Sequence, residues 1–430
     1  MKYFRLTLYS TLIVVALGGW CDNKQTAGQD LVSAYNRFPS SRIVNHPEIR
    51  NNLPTDEIIR SEGYPAETHY ATTPDGYILA LHRIPYGKTN SDPANREVVF
   101  VQHGLLCSSA DWIMSTPSKG LGYMLAEAGY DVWLGNYRGN TYSRNHTFFN
   151  PNEGSGGFWD FTWDEMAKFD IPTQIEKVLE ITGKDELQYI GHSMGTTAFM
   201  AMHHYKQDVA SKIRLAHLLS PVAYVGNMES PIGWIAGLGP LLDAILGFLG
   251  IGEFLPGNVL MDCLATLFCH EGLTQGICTN ILFILCGFDE PQMNTTLLET
   301  IMKHTPAGAS TPTVLHYAQE VTSDEFHGYD WGSDRENFNH HGANGIPNYS
   351  LTDVTTPVAV YFGQNDWLAS STDVLRTISE LPNIVGGMQH MVKFPTWNHL
   401  DFLWGIDADT EVYADVLANM KTCWETDCRV

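Results

Sequence analysis

The stretch Gly191-His192-Ser193-Met194-Gly195 is the most informative part of this sequence, because it places a serine between two glycines. It follows the apolar run 187–190, which predicts a buried strand, and precedes residues 196–205, whose composition predicts a helix. A serine on the sharp turn between strand and helix stands exposed at the carboxyl edge of a sheet, because flanking glycines let the two elements pack closely. The pattern therefore indicates the nucleophilic serine of an esterase.

Two residues suited to activate Ser193 follow it in the last quarter of the chain. Serine is a weak nucleophile at its own pKa, so it needs a histidine base and a carboxylate that orients the histidine. The apolar run 357–362 predicts a strand ending just before Asp366, and His399 lies on a loop before an apolar helix start. For each residue taken singly, the alternative is that Asp366 only caps a turn and that His399 is one of 17 histidines without a catalytic role. Together with Ser193, we expect His399 to shuttle the proton and Asp366 to fix its tautomer.

The oxyanion formed by serine attack on an ester must be held by backbone N–H groups. One donor belongs to the residue after the nucleophile, here Met194, and the other follows an early strand. Residues 98–102 predict that strand, and His103-Gly104-Leu105-Leu106 comes directly after it. We expect Gly104 to allow close backbone approach and Leu105 to be the second donor, with an ordinary strand-ending turn as the alternative.

Further stretches extend this pattern from about Ile43 to near the C terminus. They are Glu62-Gly63-Tyr64-Pro65, Thr73-Pro74-Asp75-Gly76-Tyr77-Ile78-Leu79, Arg83-Ile84-Pro85-Tyr86-Gly87, Gln102-His103-Gly104-Leu105-Leu106, Asp131-Val132-Trp133-Leu134-Gly135-Asn136, Arg138-Gly139-Asn140, Gly191-His192-Ser193, Tyr329-Asp330-Trp331-Gly332-Ser333 and Asn398-His399-Leu400-Asp401-Phe402. Together they resemble the acid lipase family, which comprises the gastric, lysosomal and insect digestive lipases of the α/β-hydrolase superfamily. The resemblance implies the nucleophile, acid, base and two oxyanion donors in turn as Ser193, Asp366, His399, Leu105 and Met194.

Two positions depart from the family pattern. Many members have glutamine where Met194 stands, which leaves the backbone donor unchanged. Many also have an aspartate four residues after the catalytic acid, where this chain has Ser370. How the Asp366 loop is held is therefore an open question, and Asp373 is an alternative acid.

Eight cysteines in a chain of 430 residues predict some disulfides rather than a cysteine-held scaffold. The family resemblance implies a disulfide between Cys269 and Cys278, and a free buried thiol at Cys286. Cys423 and Cys428 are close enough in sequence to close a C-terminal loop.

Composition and charge restrict the partners. With 44% hydrophobic and 17% charged residues, the chain can bury a large core in one domain with an insertion. A formal charge of −23 disfavours nucleic acid and anionic membrane surfaces, because both would repel it. We therefore expect neutral or apolar partners.

Residues 1–18 have the form of a signal peptide. Lys2 and Arg5 precede the apolar run 6–17, and small residues at 16–18 suit cleavage. Three N-glycosylation acceptors agree with a secretory route: Asn145, Asn294 and Asn348. We expect a secreted protein, with a lysosomal location as the alternative.

Predicted strands and helices alternate through most of the chain, which indicates a mostly parallel sheet flanked by helices on both faces. This alternation stops after Ser220 and resumes near Pro357. We therefore expect an α/β-hydrolase core at 19–220 and 349–430, interrupted by a mainly helical cap or lid at 221–348. Within the cap, 231–251 is apolar with Asp243 as its one charge. A transmembrane helix is the alternative for this segment, but Pro240 and five glycines favour a lining for acyl chains.

These observations predict an enzyme that hydrolyses carboxylic esters of neutral lipids, triacylglycerols or sterol esters, through an acyl-enzyme at a lipid–water interface. No cofactor and no metal ion is implied, and no stable transmembrane anchor is expected. A catalytically silent lipid carrier on the same fold and an acyltransferase are the alternatives, since fold does not fix function. The oligomeric state stays open.

Overall fold

The structure is a computed structural model that describes residues 53–154, 156–231, 233, 252–254, 285–343 and 345–428. The predicted signal peptide at 1–18, most of the apolar segment 231–251, and both Cys269 and Cys278 lie outside the described residues.

An eight-stranded sheet forms the centre of the molecule, with the strand order β1-β2-β4-β3-β5-β6-β9-β10. The strands are β1 Glu67–Thr72, β2 Ile78–Ile84, β3 Val98–Gln102, β4 Asp131–Leu134, β5 Leu187–His192, β6 Ile213–Leu219, β9 Val358–Phe362 and β10 Ile384–Met391, while β7 Glu253–Phe254 and β8 Ala309–Ser310 form a separate antiparallel pair. β1 pairs with β2, and β2 with β4, in antiparallel fashion. All other pairs in the large sheet are parallel.

Helices cover both faces of this sheet. They are α1 Thr55–Ser61, α2 Leu121–Glu127, α3 Trp163–Glu165, α4 Ile171–Thr182, α5 Met194–Tyr205, α6 Gln207–Ala210, α7 Leu298–His304, α8 Thr311–Ser323, α9 Asp334–His341, α10 Ser371–Glu380, α11 Asp401–Trp404 and α12 Ala414–Thr426. Successive side chains of a strand point to opposite faces, so β3 sends Phe100 into the core beneath α4 and α5, and Val101 into the core beneath α2 and α12. The predicted mostly parallel sheet flanked by helices is confirmed.

A π-helical turn precedes α4. The helical run begins at Trp163 and contains this turn, Met166–Asp170, before α4, which carries Pro172 in its first turn. In that turn the Ile171 N–H donates to the carbonyl of Met166. Proline has no N–H for the ordinary helical hydrogen bond, and a widened turn just before Pro172 accommodates this gap.

The described residues between β6 and β9 form helices α7, α8 and α9 and the small β7–β8 pair. They contact the carboxyl edge of the large sheet. The Ala307 N–H donates to the carbonyl of Leu106 at 2.7 Å, and the carbonyl of Cys286 accepts from the Trp367 N–H at 3.3 Å. Within the described part of the chain, every helix is too short or too polar to cross a membrane.

Candidate active site

Ser193 occupies the sharp turn between β5 and α5. Its backbone has φ +53° and ψ −122°, a strained conformation for a residue with a side chain. A Cβ atom on Gly195 would lie 2.5 Å from the carbonyl oxygen of Gln102, and one on Gly191 would lie 2.9 Å from the carbonyl oxygen of Gly195. Side chains at these positions would push the strand and helix apart, so the two glycines are what permits the turn.

A chain of hydrogen bonds runs from this serine to a buried carboxylate. The Oγ of Ser193 lies 2.8 Å from Nε2 of His399, and Nδ1 of His399 lies 3.0 and 2.9 Å from the two carboxyl oxygens of Asp366. His399 and Asp366 are 3% and 2% exposed. The structure thus brings together three side chains that are separated by 33 and 206 residues along the chain. Their order and contacts are those needed to move a proton away from the serine hydroxyl.

The loop that carries Asp366 is held by its own backbone. The Oδ1 atom of Asp366 accepts from the N–H groups of Leu368 and Ala369 at 3.0 and 2.8 Å. The carbonyl of Cys286 accepts from the N–H groups of Trp367 and His399, which ties the acid loop to the histidine loop. These contacts fix the position of the Asp366 carboxyl group next to His399.

Ser370, where the family pattern has an aspartate, caps the helix that follows this loop. Its Oγ accepts from the Asp373 N–H at 3.3 Å and donates to the Asp373 carboxylate at 3.2 Å. The same carboxylate accepts from the backbone and side-chain N–H groups of Asn227 at 2.9 and 2.8 Å. Asp373 therefore joins α10 to the segment after β6, and Asp366 is the carboxylate that the structure brings to His399.

The loop after β3 lies directly against Ser193. A Cβ atom on Gly104 would approach the Cβ of Ser193 to 2.9 Å. Among the described residues, neither the Leu105 nor the Met194 backbone N–H donates to another group of the protein. Two unpaired backbone donors beside a serine hydroxyl are the arrangement that holds a developing oxyanion.

His103 fixes the conformation of this loop. Its Nε2 accepts from the Tyr137 backbone N–H and the Asn140 amide, both at 3.1 Å, so the proton resides on Nδ1, which donates to the carbonyl of Gly104 at 2.8 Å. Burial lowers the pKa of His103 to about 4, which keeps the ring neutral and this pattern intact in mildly acidic solution.

Ser220, which was not among the predicted site residues, also contacts the histidine–carboxylate pair through its hydroxyl. Its Oγ donates to Oδ2 of Asp366 and lies 2.9 Å from Nδ1 of His399. The available signal was positional. Ser220 follows β6, which lies next to β5, so it is placed at the same carboxyl edge as Ser193.

The predicted glycosylation and cysteine sites have different surroundings. Asn145 and Asn348 are exposed and Asn294 is partly exposed. Cys423 and Cys428 form a disulfide, whereas Cys107 and Cys286 are buried and unbridged. In the described part of the chain, no three His, Cys, Asp or Glu side chains are grouped as metal ligands would be.

The sheet order, the strained serine turn at its carboxyl edge and the hydrogen-bonded chain to Asp366 define an α/β-hydrolase. Two family models match the sequence: a partial alpha/beta-hydrolase lipase region at residues 55–116 and the alpha/beta hydrolase fold at residues 97–249. A solved structure from Sulfolobus solfataricus shares the fold at a TM-score of 0.50 with 13% identity, over 80% of this chain and 89% of that chain.

Characterised relatives narrow the class. The chain is 37% identical to the lysosomal acid lipase/cholesteryl ester hydrolase of Macaca fascicularis, over 95% of this chain and 98% of that protein. It is 40% identical to the gastric triacylglycerol lipase of Homo sapiens, over 86% and 91% of the two chains. It is 41% identical to Lipase 3 of Drosophila melanogaster, over 85% and 92%. The chain belongs to the gastric and lysosomal acid lipase family, a family of carboxylic-ester hydrolases.

Proposed function

We propose that this chain hydrolyses the carboxylic esters of neutral lipids, triacylglycerols or sterol esters, with Ser193, His399 and Asp366 as its catalytic triad. The observation that carries the proposal is the unbroken path from the Ser193 hydroxyl through both nitrogens of His399 to the Asp366 carboxylate. The substrate class rests on relatives named as triacylglycerol lipases and cholesteryl ester hydrolases.

In the acylation half of this mechanism, the Ser193 Oγ attacks the ester carbonyl carbon while its proton passes to Nε2 of His399. The carbonyl oxygen becomes an oxyanion, and the N–H groups of Leu105 and Met194 stabilise it. The intermediate then expels the alcohol, which takes the proton from His399 and leaves the acyl group on Ser193. Asp366 holds the imidazole in place and supports its charge without taking the proton.

Deacylation repeats these steps with water as the nucleophile. A water molecule gives one proton to His399 as its oxygen bonds to the acyl carbon, and the same two N–H groups hold the oxyanion. The intermediate collapses to a fatty acid, and the Ser193 Oγ recovers a proton from His399. No step draws on a group outside the chain, the ester and water.

The domain and compartment assignments belong to the same proposal. We infer a cap at 221–348 over the core segments 19–220 and 349–430, because the described part of the insertion contacts the loops that carry Leu106 and Trp367. A signal peptide at 1–18 and glycans on the exposed Asn145 and Asn348 would direct the protein to secretion or, as an alternative, to the lysosome. The cap disulfide Cys269–Cys278 remains part of this proposal.

Fatty-acid release from emulsified long-chain triacylglycerol and from a sterol ester tests the function directly. We expect the wild type to hydrolyse at least one of them and Ser193→Ala to lose about 10,000-fold or more of the rate. Ser118→Ala, which changes an exposed serine, is the matched control and should keep full activity. Binding of the emulsion without hydrolysis by the wild type would instead identify a lipid carrier.

A further inference from the structure

The hydroxyl of Ser220 contacts both members of the His399–Asp366 pair. It donates to Oδ2 of Asp366 and lies 2.9 Å from Nδ1 of His399, which also lies 2.9 Å from that carboxyl oxygen. The Nδ1 proton of His399 is therefore shared between a carboxylate and a hydroxyl oxygen. Ser220 is 0% exposed, so water does not compete for these contacts.

The backbone at Ser220 is strained, which makes the presence of a side chain there informative. Its φ is +52°, in the left-handed region that favours glycine over residues with a Cβ. The Ser220 N–H donates to the carbonyl of Tyr361 at 2.8 Å, which fixes this conformation between β6 and β9. Strain of this kind persists where the side chain that it positions is useful.

The contact with Asp366 alters how strongly the carboxylate supports a protonated histidine. A hydroxyl that donates to an ionised carboxylate makes a charge-assisted bond and occupies part of its negative charge. Less of that charge then remains to stabilise the imidazolium form of His399. The Ser220 oxygen also accepts from Nδ1–H, but a neutral oxygen stabilises an imidazolium less than a carboxylate does. The net effect of the hydroxyl is to favour the neutral ring.

Five other titratable groups of the described residues lie around the pair. They come from four elements: His103 after β3, His192 on β5, Cys286 and Asp289 before α7, and Asp401 on α11. Burial lowers the pKa of both histidines and raises the pKa of the thiol and of both carboxyl groups, so each favours its uncharged form. The carboxyl group in direct contact with His399 is that of Asp366, and the Ser220 hydroxyl contacts both residues.

We propose that Ser220 is a positioning residue: because it shares the Asp366 carboxyl group with His399, it lets His399 act as a base at lower pH than Asp366 alone would allow. It thereby extends ester hydrolysis into acidic solution. The inference rests on the proposed function, since it assigns His399 the role of the base.

The test is the pH profile of kcat/KM for the full-length enzyme on soluble 4-nitrophenyl butyrate, from about pH 4 to about pH 8. Ser220→Ala removes the hydroxyl and keeps the backbone strain, whereas Ser220→Gly removes the hydroxyl and relieves the strain. We expect the midpoint of the acidic limb to move to higher pH by about half to one unit in both variants, with less than a tenfold loss on the plateau. A shift shared by both variants traces to the hydroxyl.

Ser220→Cys provides a second measurement if the smaller residues impair folding. Its thiol occupies the place of the hydroxyl, with a larger volume, but donates weakly, so its acidic limb should lie between those of the wild type and Ser220→Ala. The rate at which a fluorophosphonate labels Ser193 should show the same order across pH, without substrate turnover.

Two results would overturn the inference, and they are distinguishable. A lower plateau with an unmoved acidic limb would make Ser220 a purely structural residue and leave the ester hydrolase in place. Loss of hydrolysis in the wild type itself, or its retention in Ser193→Ala, would remove the proposed function and the role of Ser220 together.

Discussion

The side chain of His192 holds the backbone of His399. Its Nε2–H donates to the carbonyl oxygen of His399 at 2.9 Å, and the two ring centroids are 4.9 Å apart. Burial, followed by the proximity of His399, lowers the pKa of His192 well below its ordinary value. His192 is therefore a neutral donor with a fixed tautomer, and it links the turn that carries Ser193 to the loop that carries His399.

Replacing His192 should loosen the position of His399 relative to Ser193. In His192→Phe the His399 carbonyl loses its partner in a buried site, which costs about 1–3 kcal/mol of stability. We expect kcat on a soluble ester to fall by about tenfold with little change in KM, because the position of His399 relative to Ser193 is loosened. His204→Phe, at an exposed histidine of α5, is the control. An unchanged kcat in His192→Phe would show that the loop is held without this bond.

Gly104 should tolerate no side chain. A Cβ atom there would meet the Cβ of Ser193 at 2.9 Å and Nδ1 of His192 at 3.2 Å, so the loop that carries Leu105 must shift. Because one misplaced oxyanion donor costs about 100-fold or more, we expect Gly104→Ala to lose at least that much in kcat. Gly386→Ala adds the same methyl group where nothing lies within 4 Å, and should remain active. Equal activity of the two variants would contradict the assignment of the oxyanion loop.

Arg138 should be a major determinant of stability. Its guanidinium is fully buried, donates to Asp75 at 2.7 Å and pairs with Asp170 at 2.6 Å. Arg138→Met would leave the buried Asp170 without its cation, a loss of about 3–5 kcal/mol in the free energy of unfolding measured by urea denaturation. The exposed pair of Lys177 and Glu180 provides the contrast, since Lys177→Met should cost less than about 1 kcal/mol. Similar losses in both variants would show that burial does not determine how much an ion pair contributes to the free energy of unfolding.

The buried carboxyl group of Glu320 should make the folded protein more stable as the pH falls. It is 0% exposed on α8, and burial, together with Asp164 nearby, raises its pKa well above the ordinary value. A carboxyl group whose pKa is raised on folding stabilises the protein fully below its unfolded pKa of about 4.3, and this contribution is lost as the pH rises.

Glu320→Gln removes this dependence because the amide is neutral at every pH. Thermal unfolding at about pH 4 and about pH 7 should show the wild type gaining on Glu320→Gln as the pH falls. A difference between the two proteins that is independent of pH would show that Glu320 has the same pKa in the folded and unfolded states.

Local sequence patterns were sufficient to predict the elements that present the site. The strand at Val98–Gln102 is observed with those bounds, and the strand before Ser193 extends to His192. Both predictions rest on properties of adjacent residues, such as continuous apolar character and glycines around a turn. The helical run that begins at Trp163 lacks such a local pattern, because its π-helical turn interrupts the ordinary period.

Other parts of the site were not accessible from the sequence because they depend on which strands lie side by side. Ser220 contacts Asp366 across 146 residues, and His192 contacts the His399 carbonyl across 207 residues. A serine after a strand and a histidine before a serine are common, and no local pattern separates them from their ordinary counterparts. Their roles become visible only when the order β5-β6-β9 is known.

By itself, the sequence determined the class of fold, the position of the strained serine and the candidates for base and acid, because turn chemistry and apolar periodicity are local properties. The tertiary structure decided that Asp366 rather than Asp373 meets His399, that Ser370 caps α10, and that Ser220 joins the pair. These are choices among equally plausible polar groups. They are settled by distances of about 3 Å, and only the packing of distant strands and loops sets such distances.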